Sequence, residues 1–176
     1  EAITAYLGLG SNLGNRQGNP DKAVDLLSQR LPVKKVSSLY DTESVGNTDQ
    51  PRFLNLVCQV DVRLAPAELL ALAKGIELKL GRAPDTHNAP RPLDIDILFY
   101  GDQVINTPEL VIPHPRLAER AFVMVPLAEI ASDLVHPVSG KTVRELLQAV
   151  TETQGVLKWD NQIRRQNVPD IGRGTY

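Results

Sequence analysis

The run Arg91-Pro92-Leu93-Asp94-Ile95-Asp96-Ile97-Leu98-Phe99 carries the clearest chemistry in the chain. Leu93, Ile95, Ile97 and Phe99 alternate with other residues, so a strand here puts them on one face and Asp94 and Asp96 on the other. With a rise of about 3.3 Å per residue, the two aspartate Cα atoms lie roughly 6.5–7 Å apart. Carboxylates held that close repel and raise each other's pKa unless a cation sits between them. A hard divalent ion, Mg2+ above all, suits such a pair, because it takes one or two carboxylates and completes its shell with water and substrate phosphates. A solvated strand face is the plain alternative for an isolated Asp-x-Asp.

The surrounding sequence favours the metal. Arg82, Arg91, His114, Arg116 and Arg120 flank the acidic pair, and a guanidinium fork matches phosphate oxygens two at a time. Arg116 is the weakest of these and reads as a solvated helix-start residue. The glycines Gly8, Gly10 and Gly14 do not fit a dinucleotide fingerprint, since the last is one residue too far, and no Gly-Lys-Ser/Thr follows. Asp41 also lies too far downstream to take a ribose. A sharp turn at the end of the first strand is the favoured reading of those glycines, over direct phosphate contact. His87, His114 and His136 have no zinc spacing. His136, before Pro137, reads as a surface turn residue, and Trp159 as packing for the tail.

These residues need a frame to hold them. Residues 3–9 and 33–40 read as strands, and Asn19-Pro20 opens a helix with its apolar face on Ala23, Leu26, Leu27 and Leu31. Residues 53–63 are the clearest strand: Leu54, Leu56, Cys58, Val60 and Val62 share one face, with Phe53 and Asn55 on the other. Cys58 therefore reads as a packing residue, with no basic neighbour to make it a nucleophile. Pro66 opens a helix with Leu69, Leu72, Ala73, Ile76 and Leu80 on its buried stripe, stopped by Gly81. The prolines at 84, 90 and 92 exclude regular structure there. Residues 93–100 form the Asp strand, and Gly101-Asp102 a hairpin turn into 103–105. Short helices are expected at 116–120, 125–130 and 143–150. Strands and helices do not alternate regularly, which favours an α+β sandwich: a mainly antiparallel sheet with helices packed on one side.

Composition sets the outer limits. The chain has 176 residues, 42 % hydrophobic and 23 % charged, with a formal charge of -2, and its pI is near 5.9. That balance excludes bulk attraction to nucleic acid or an anionic membrane. A single domain over 1–160 with a polar tail at 161–176 is expected. One cysteine suits a reducing compartment. The longest apolar stretch, 121–128, is broken by Pro126 and falls far short of the roughly 20 residues of a membrane span. The expected setting is the cytoplasm.

Taken together, Tyr6-Leu7-Gly8-Leu9-Gly10-Ser11-Asn12-Leu13-Gly14, Asn55 in a Phe-Leu-Asn strand start, His87 to Leu98, Ile112-Pro113-His114-Pro115 and Arg120-Ala121-Phe122-Val123 resemble the 6-hydroxymethyl-7,8-dihydropterin pyrophosphokinase family of folate biosynthesis. The resemblance implies a ferredoxin-like α+β sandwich that moves pyrophosphate from ATP to the pterin hydroxymethyl group and releases AMP; a monomer is expected. It implies a pair of Mg2+ ions on Asp94 and Asp96. It implies ATP contacts from Glu77, Arg82, Arg91, Ile97, His114 and Arg120, with Arg82 and Arg91 also catalytic. Thr42 (through its backbone), Val45, Phe53, Asn55 and Phe122 would form the pterin pocket. An amide at Asn55 can pair with a pterin's donor–acceptor edge, and Phe122 offers a ring face. Core packing is the ordinary alternative for both aromatics.

The chain departs from well-known bacterial members around the nucleotide. The loop before the Asp strand has His87-Asn88-Ala89-Pro90-Arg91 where those members carry a tryptophan and one more residue, and Pro84 replaces a second arginine. Glu109 stands where many have arginine, Glu43-Ser44 where a Pro-Pro pair is frequent, and Phe53 where Tyr is common. Activity is expected to survive these changes with weaker nucleotide binding. The rival readings are a Mg2+-dependent nuclease or phosphohydrolase on the same acidic pair, and a non-enzymatic ferredoxin-like ligand-binding domain.

Overall fold

The structure, a computed structural model, describes residues 1–11, 18–42, 53–80, 93–150 and 156–158. Its centre is β1 (Ile3–Ser11), flanked by two antiparallel partners, β4 (Phe53–Val62) and β5 (Asp94–Tyr100). The sheet continues from β4 to β3 (Tyr40–Thr42) and then β8 (Val156–Lys158), while β2 (Val33–Val36) also pairs with β4. All these pairings are antiparallel, as expected. Residues 33–40 do not form one strand. Ser37 interrupts them: its Oγ accepts the Val57 amide proton at 2.9 Å, replacing a rung of the ladder.

Period-two patterning fixes what each face buries. Ala5, Leu7 and Leu9 of β1, the five apolar residues Leu54 to Val62 of β4, and Ile95 and Ile97 of β5 meet one helix layer. That layer is α1 (Gly18–Ser28), with Ala23 and Leu27, and α2 (Pro66–Lys79), with Leu69, Ala73 and Ile76. Cys58 lies in this core as a packing residue, and burial pushes its thiol up to about 12.

The opposite face is covered as well, which corrects the expectation of helices on one side. Tyr6, Val57, Leu98 and Phe99 pack there against α3 (Ala121–Ala131), with Val123, Met124 and Leu127, and α4 (Val143–Ala149), with Val143 and Leu146. Phe99 was expected beside Ile97. A register shift between Tyr6 and Leu7 pairs them with Phe99 and Ile97 and leaves Leu98 over as a bulge. One extra residue reverses every side chain beyond it, so Phe99 joins α3 and Tyr100 returns to the first core.

Helix α3 starts earlier than expected and includes Pro126. The missing N–H leaves the carbonyl of Phe122, four residues back, without its helical bond. Gly101 makes the turn after β5 at φ 55°. The chain beyond it does not return along β5: β6 (Ile105–Asn106) pairs with β7 (Val111–Ile112). No helix among the described residues is long and apolar enough to cross a membrane. The residues expected to form the tail, 161–176, lie outside the described ones, as does Trp159.

A polar clamp joins α3 to β3. Tyr40 Oη donates to Glu129 Oε1 at 2.6 Å, and the Ser38 amide and hydroxyl donate to the same carboxylate at 3.0–3.2 Å. Burial pushes the Glu129 carboxyl up, but the bonds from Tyr40 and Ser38, with Lys158 nearby, outweigh it and hold the pKa below the usual value of 4.5. The clamp's contribution is therefore complete above pH 4.5 and is lost as pH falls through the lower folded value. Urea unfolding should show Glu129→Gln less stable than the parent at pH 7, by up to about 1 kcal/mol for a contact this open to solvent. That gap should narrow towards pH 4; a gap independent of pH would refute the clamp's charge.

Candidate active site

Antiparallel register gathers the site on the face shared with α3. Tyr40 pairs with Asn55, Asn55 with Gly10, and Gly10 with Asp94, forming one row across the sheet. The next row on this face runs Val57, Gly8, Asp96. Residues paired across strands share a face, so Asn55, Asp94 and Asp96 all point the same way. Strands lie about 4.8 Å apart, which sets Asn55 and Asp94 roughly 10 Å from one another with β1 between them.

What lies between them is glycine. An ideal Cβ on Gly10 would stand 2.7 Å from Asn55 Oδ1, closer than a side chain tolerates. Gly8 is covered by Leu98, whose Cδ1 is 3.5 Å from the corresponding position. Neither glycine has a positive φ, so what Gly10 provides here is room for the Asn55 amide and not a special backbone conformation. The expected sharp turn is thus corrected: Gly8 and Gly10 are residues of β1 that lie between the Asn55 strand on one side and the aspartate strand on the other, with Leu98 over Gly8 and the Asn55 amide reaching over Gly10. Glycines two apart inside an apolar run were the signal for this.

The segment entering α3 stands on the aspartate side. The His114 amide donates to the Leu98 carbonyl at 3.1 Å, anchoring it to β5. His114 Nδ1 accepts the Arg116 amide proton at 3.3 Å, which puts the proton of the neutral ring on Nε2. Burial lowers the His114 pKa, Asp96 raises it, and Arg120 and Arg116 lower it again, with a lowered value as the result. Those influences place His114 among Asp96, Arg120 and Arg116. Arg120 precedes α3 and holds its guanidinium 5.6 Å over the Phe122 ring. Arg116 pairs with Glu119 in the open at 3.4 Å, as a solvated residue would.

Asn55 is 8 % exposed, and Phe53 lies two residues along on the same face, paired with Thr42. Of Thr42 only the backbone is described; Val45, Arg82, Arg91 and His87 lie outside the described residues. Two expected nucleotide contacts lie on the far side of the sheet. Ile97 is buried in the α1–α2 core. Glu77, 2 % exposed on α2, accepts the Ile95 amide proton at 2.7 Å.

The donor set suits Mg2+. Asp94 and Asp96 are half-buried hard carboxylates on one face, and among the described residues no group of three His, Cys, Asp or Glu forms a metal cage. An ion on the pair alone would draw its other ligands from water and substrate oxygens, as Mg2+ does.

Residues 6–132 match the family model of the 7,8-dihydro-6-hydroxymethylpterin-pyrophosphokinases (HPPK). The chain is 42 % identical over 157 residues to the 2-amino-4-hydroxy-6-hydroxymethyldihydropteridine pyrophosphokinase of Bacillus subtilis, covering 88 % of this chain and 89 % of that protein. Against the protein of the same name from Pseudomonas aeruginosa it is 44 % identical over 147 residues, covering 82 % and 90 %. A folic acid synthesis protein of Pneumocystis carinii is 43 % identical over 148 residues, where the match covers 84 % of this chain but 20 % of that longer protein. The fold is also that of a crystal structure of HPPK-DHPS in complex with substrates, with a TM-score of 0.68 at 15 % identity, covering 84 % of this chain and 43 % of that one. With the family model matched over most of its length, the chain belongs to the 7,8-dihydro-6-hydroxymethylpterin-pyrophosphokinase family.

Proposed function

We propose that the chain transfers the β,γ-pyrophosphoryl group of ATP to the hydroxymethyl oxygen of 6-hydroxymethyl-7,8-dihydropterin, as a folate-biosynthesis enzyme, releasing AMP. The single observation that carries this reading is the row Asn55–Gly10–Asp94, which sets an amide and a metal-suited carboxylate pair on either side of a glycine on one face of the sheet. A planar pterin against Asn55 would present its hydroxymethyl group towards the aspartates.

In the reaction the hydroxymethyl oxygen attacks the β-phosphorus, the bond from that phosphorus to the oxygen of the α-phosphate breaks, and the hydroxyl proton leaves to solvent. AMP departs with the bridging oxygen. Asp94 and Asp96 would hold Mg2+, a pair of ions on the family's pattern, which when bound supplies neutralisation of the polyphosphate charge. The Nε2–H of His114 and the guanidinium of Arg120 donate to phosphate oxygens. Arg82 and Arg91 add catalytic charge in the same reading. Asn55 pairs with the polar edge of the pterin, Phe122 stacks on it by the ring face away from Arg120, and Phe53, Thr42 and Val45 close the pocket. Ile97 reaches nucleotide through its backbone on the edge strand, its side chain being buried. Chemistry of this kind is positioning and charge stabilisation, and it uses no protein nucleophile. The reading includes a monomer in a reducing, cytoplasmic setting.

The test is to incubate the protein with ATP, Mg2+ and the hydroxymethyl pterin and to separate the nucleotides. AMP formed in proportion to pterin is expected; ADP, or nucleotide turnover indifferent to pterin, would contradict it. Asp94→Asn and Asp96→Asn should each lower AMP formation by about a hundredfold or more, since the charge stabilisation at stake is worth several kcal/mol. Gly10→Ala should displace the Asn55 amide and raise the KM for pterin by roughly fivefold, the worth of one hydrogen bond. Its KM for ATP should change little; an equal rise in both would contradict the separation of the two sides.

A further inference from the structure

Glu77 is a charged group in a place that charge avoids. It stands on α2, on the α1–α2 side of the sheet, 2 % exposed. A carboxylate stays in such a place only when its oxygens are bonded or paired. Glu77 Oε2 accepts the Ile95 amide proton at 2.7 Å, and Oε1 lies 3.6 Å from Lys74 Nζ.

The bonded amide belongs to the residue between the two aspartates. Among the described residues, strand β5 ends the sheet, with β1 as its neighbour on one side. An antiparallel edge strand turns every other amide outward, away from its partner. Asp94 is also the first residue of β5 and pairs with Gly10, where the β1–β5 ladder ends. The start of an edge strand has the fewest ladder bonds to hold it. A charge-assisted bond to the Ile95 amide is a strong one, and it acts on the peptide that joins Asp94 to Ile95.

We propose that Glu77 is a positioning residue: from the edge of the sheet, reached from α2, it fixes the backbone between Asp94 and Asp96, and so the spacing at which the two carboxylates meet Mg2+. This assigns it a task on the opposite face from the nucleotide. The inference rests on the Mg2+-holding reading of the aspartates.

Glu77→Ala and Glu77→Gln in the full chain test it, through Ile95 amide exchange by NMR and through the Mg2+ concentration that half-saturates binding of a non-hydrolysable ATP analogue. In Glu77→Ala the Ile95 amide should exchange about tenfold faster or more, and the Mg2+ requirement should rise by about 10–100-fold, the usual cost of losing a group behind a metal ligand. Pterin affinity should not move. Glu77→Gln keeps an acceptor oxygen and should stay within about threefold of the parent in both measures. Should Glu77→Ala fail to fold, Glu77→Leu, which fills the same space without an acceptor, takes its place and should show the same two rises. The proposal is overturned if Glu77→Gln loses analogue binding while Ile95 stays protected, because the charge would then act on the nucleotide directly. It is also overturned if Glu77→Ala changes neither measure. A parent protein that binds the analogue without regard to Mg2+ would instead sink the metal reading, a different result from either of these.

Discussion

The register of β1 against its two neighbours is the constraint on which the rest depends. Gly10 is opposite Asn55 on one side and Asp94 on the other, so a residue with no side chain separates an amide from a carboxylate pair. A slip of one residue would turn Asn55 or the aspartates into a helix-packed core. The slip is prevented by the cores themselves. Leu7 and Leu9 are locked among α1 and α2, and Tyr6 stacks edge-on with Phe99 at 6.2 Å on the other face. Burial of the apolar set on both faces therefore specifies the site.

Each helix layer contributes differently to that geometry. The α1–α2 layer supplies bulk and, through Glu77, one bond to the edge of the Asp strand. The α3 layer brings polar groups over the sheet: His114 is tied to Leu98, and Arg120 and Phe122 follow at the helix start. The clamp of Glu129 on Tyr40 and Ser38 fixes the far end of α3 to the strand beside Asn55. Helix α3 is thereby held at both ends across the two sides of Gly10.

Much of this was legible in the sequence, where local patterns decide the outcome. The alternation of Asp94 and Asp96 with Leu93, Ile95 and Ile97 put both carboxylates on one face, and the same period sorted β4 into a core face and an Asn55 face. The misreadings that bear on the site turned on partners distant in sequence. Phe99 changed face because of a bulge that exists only when β5 meets Tyr6 and Leu7. Gly8 and Gly10 read as a turn because glycine usually ends a strand; at Gly10 the closeness of Asn55, 45 residues on, gives the reason. The break at Ser37 depends on its bond to Val57. Glu77 matched a family pattern, but its bond to Ile95 could not be read from spacing, since it crosses from a helix to a strand edge. Family membership removes the non-enzymatic rival and the nuclease together.

The central claim is spatial, with pterin on the Asn55 side of Gly10 and polyphosphate on the aspartate side. Crystals grown with Mn2+ as a scattering substitute for Mg2+, a non-hydrolysable ATP analogue and the hydroxymethyl pterin test it through the anomalous signal of the metal. The account places that signal in contact with carboxylate oxygens of both Asp94 and Asp96, with the pterin ring against the Asn55 amide across Gly10. Metal bound away from the aspartates, or a pterin seated on the α1–α2 side of the sheet, would contradict it.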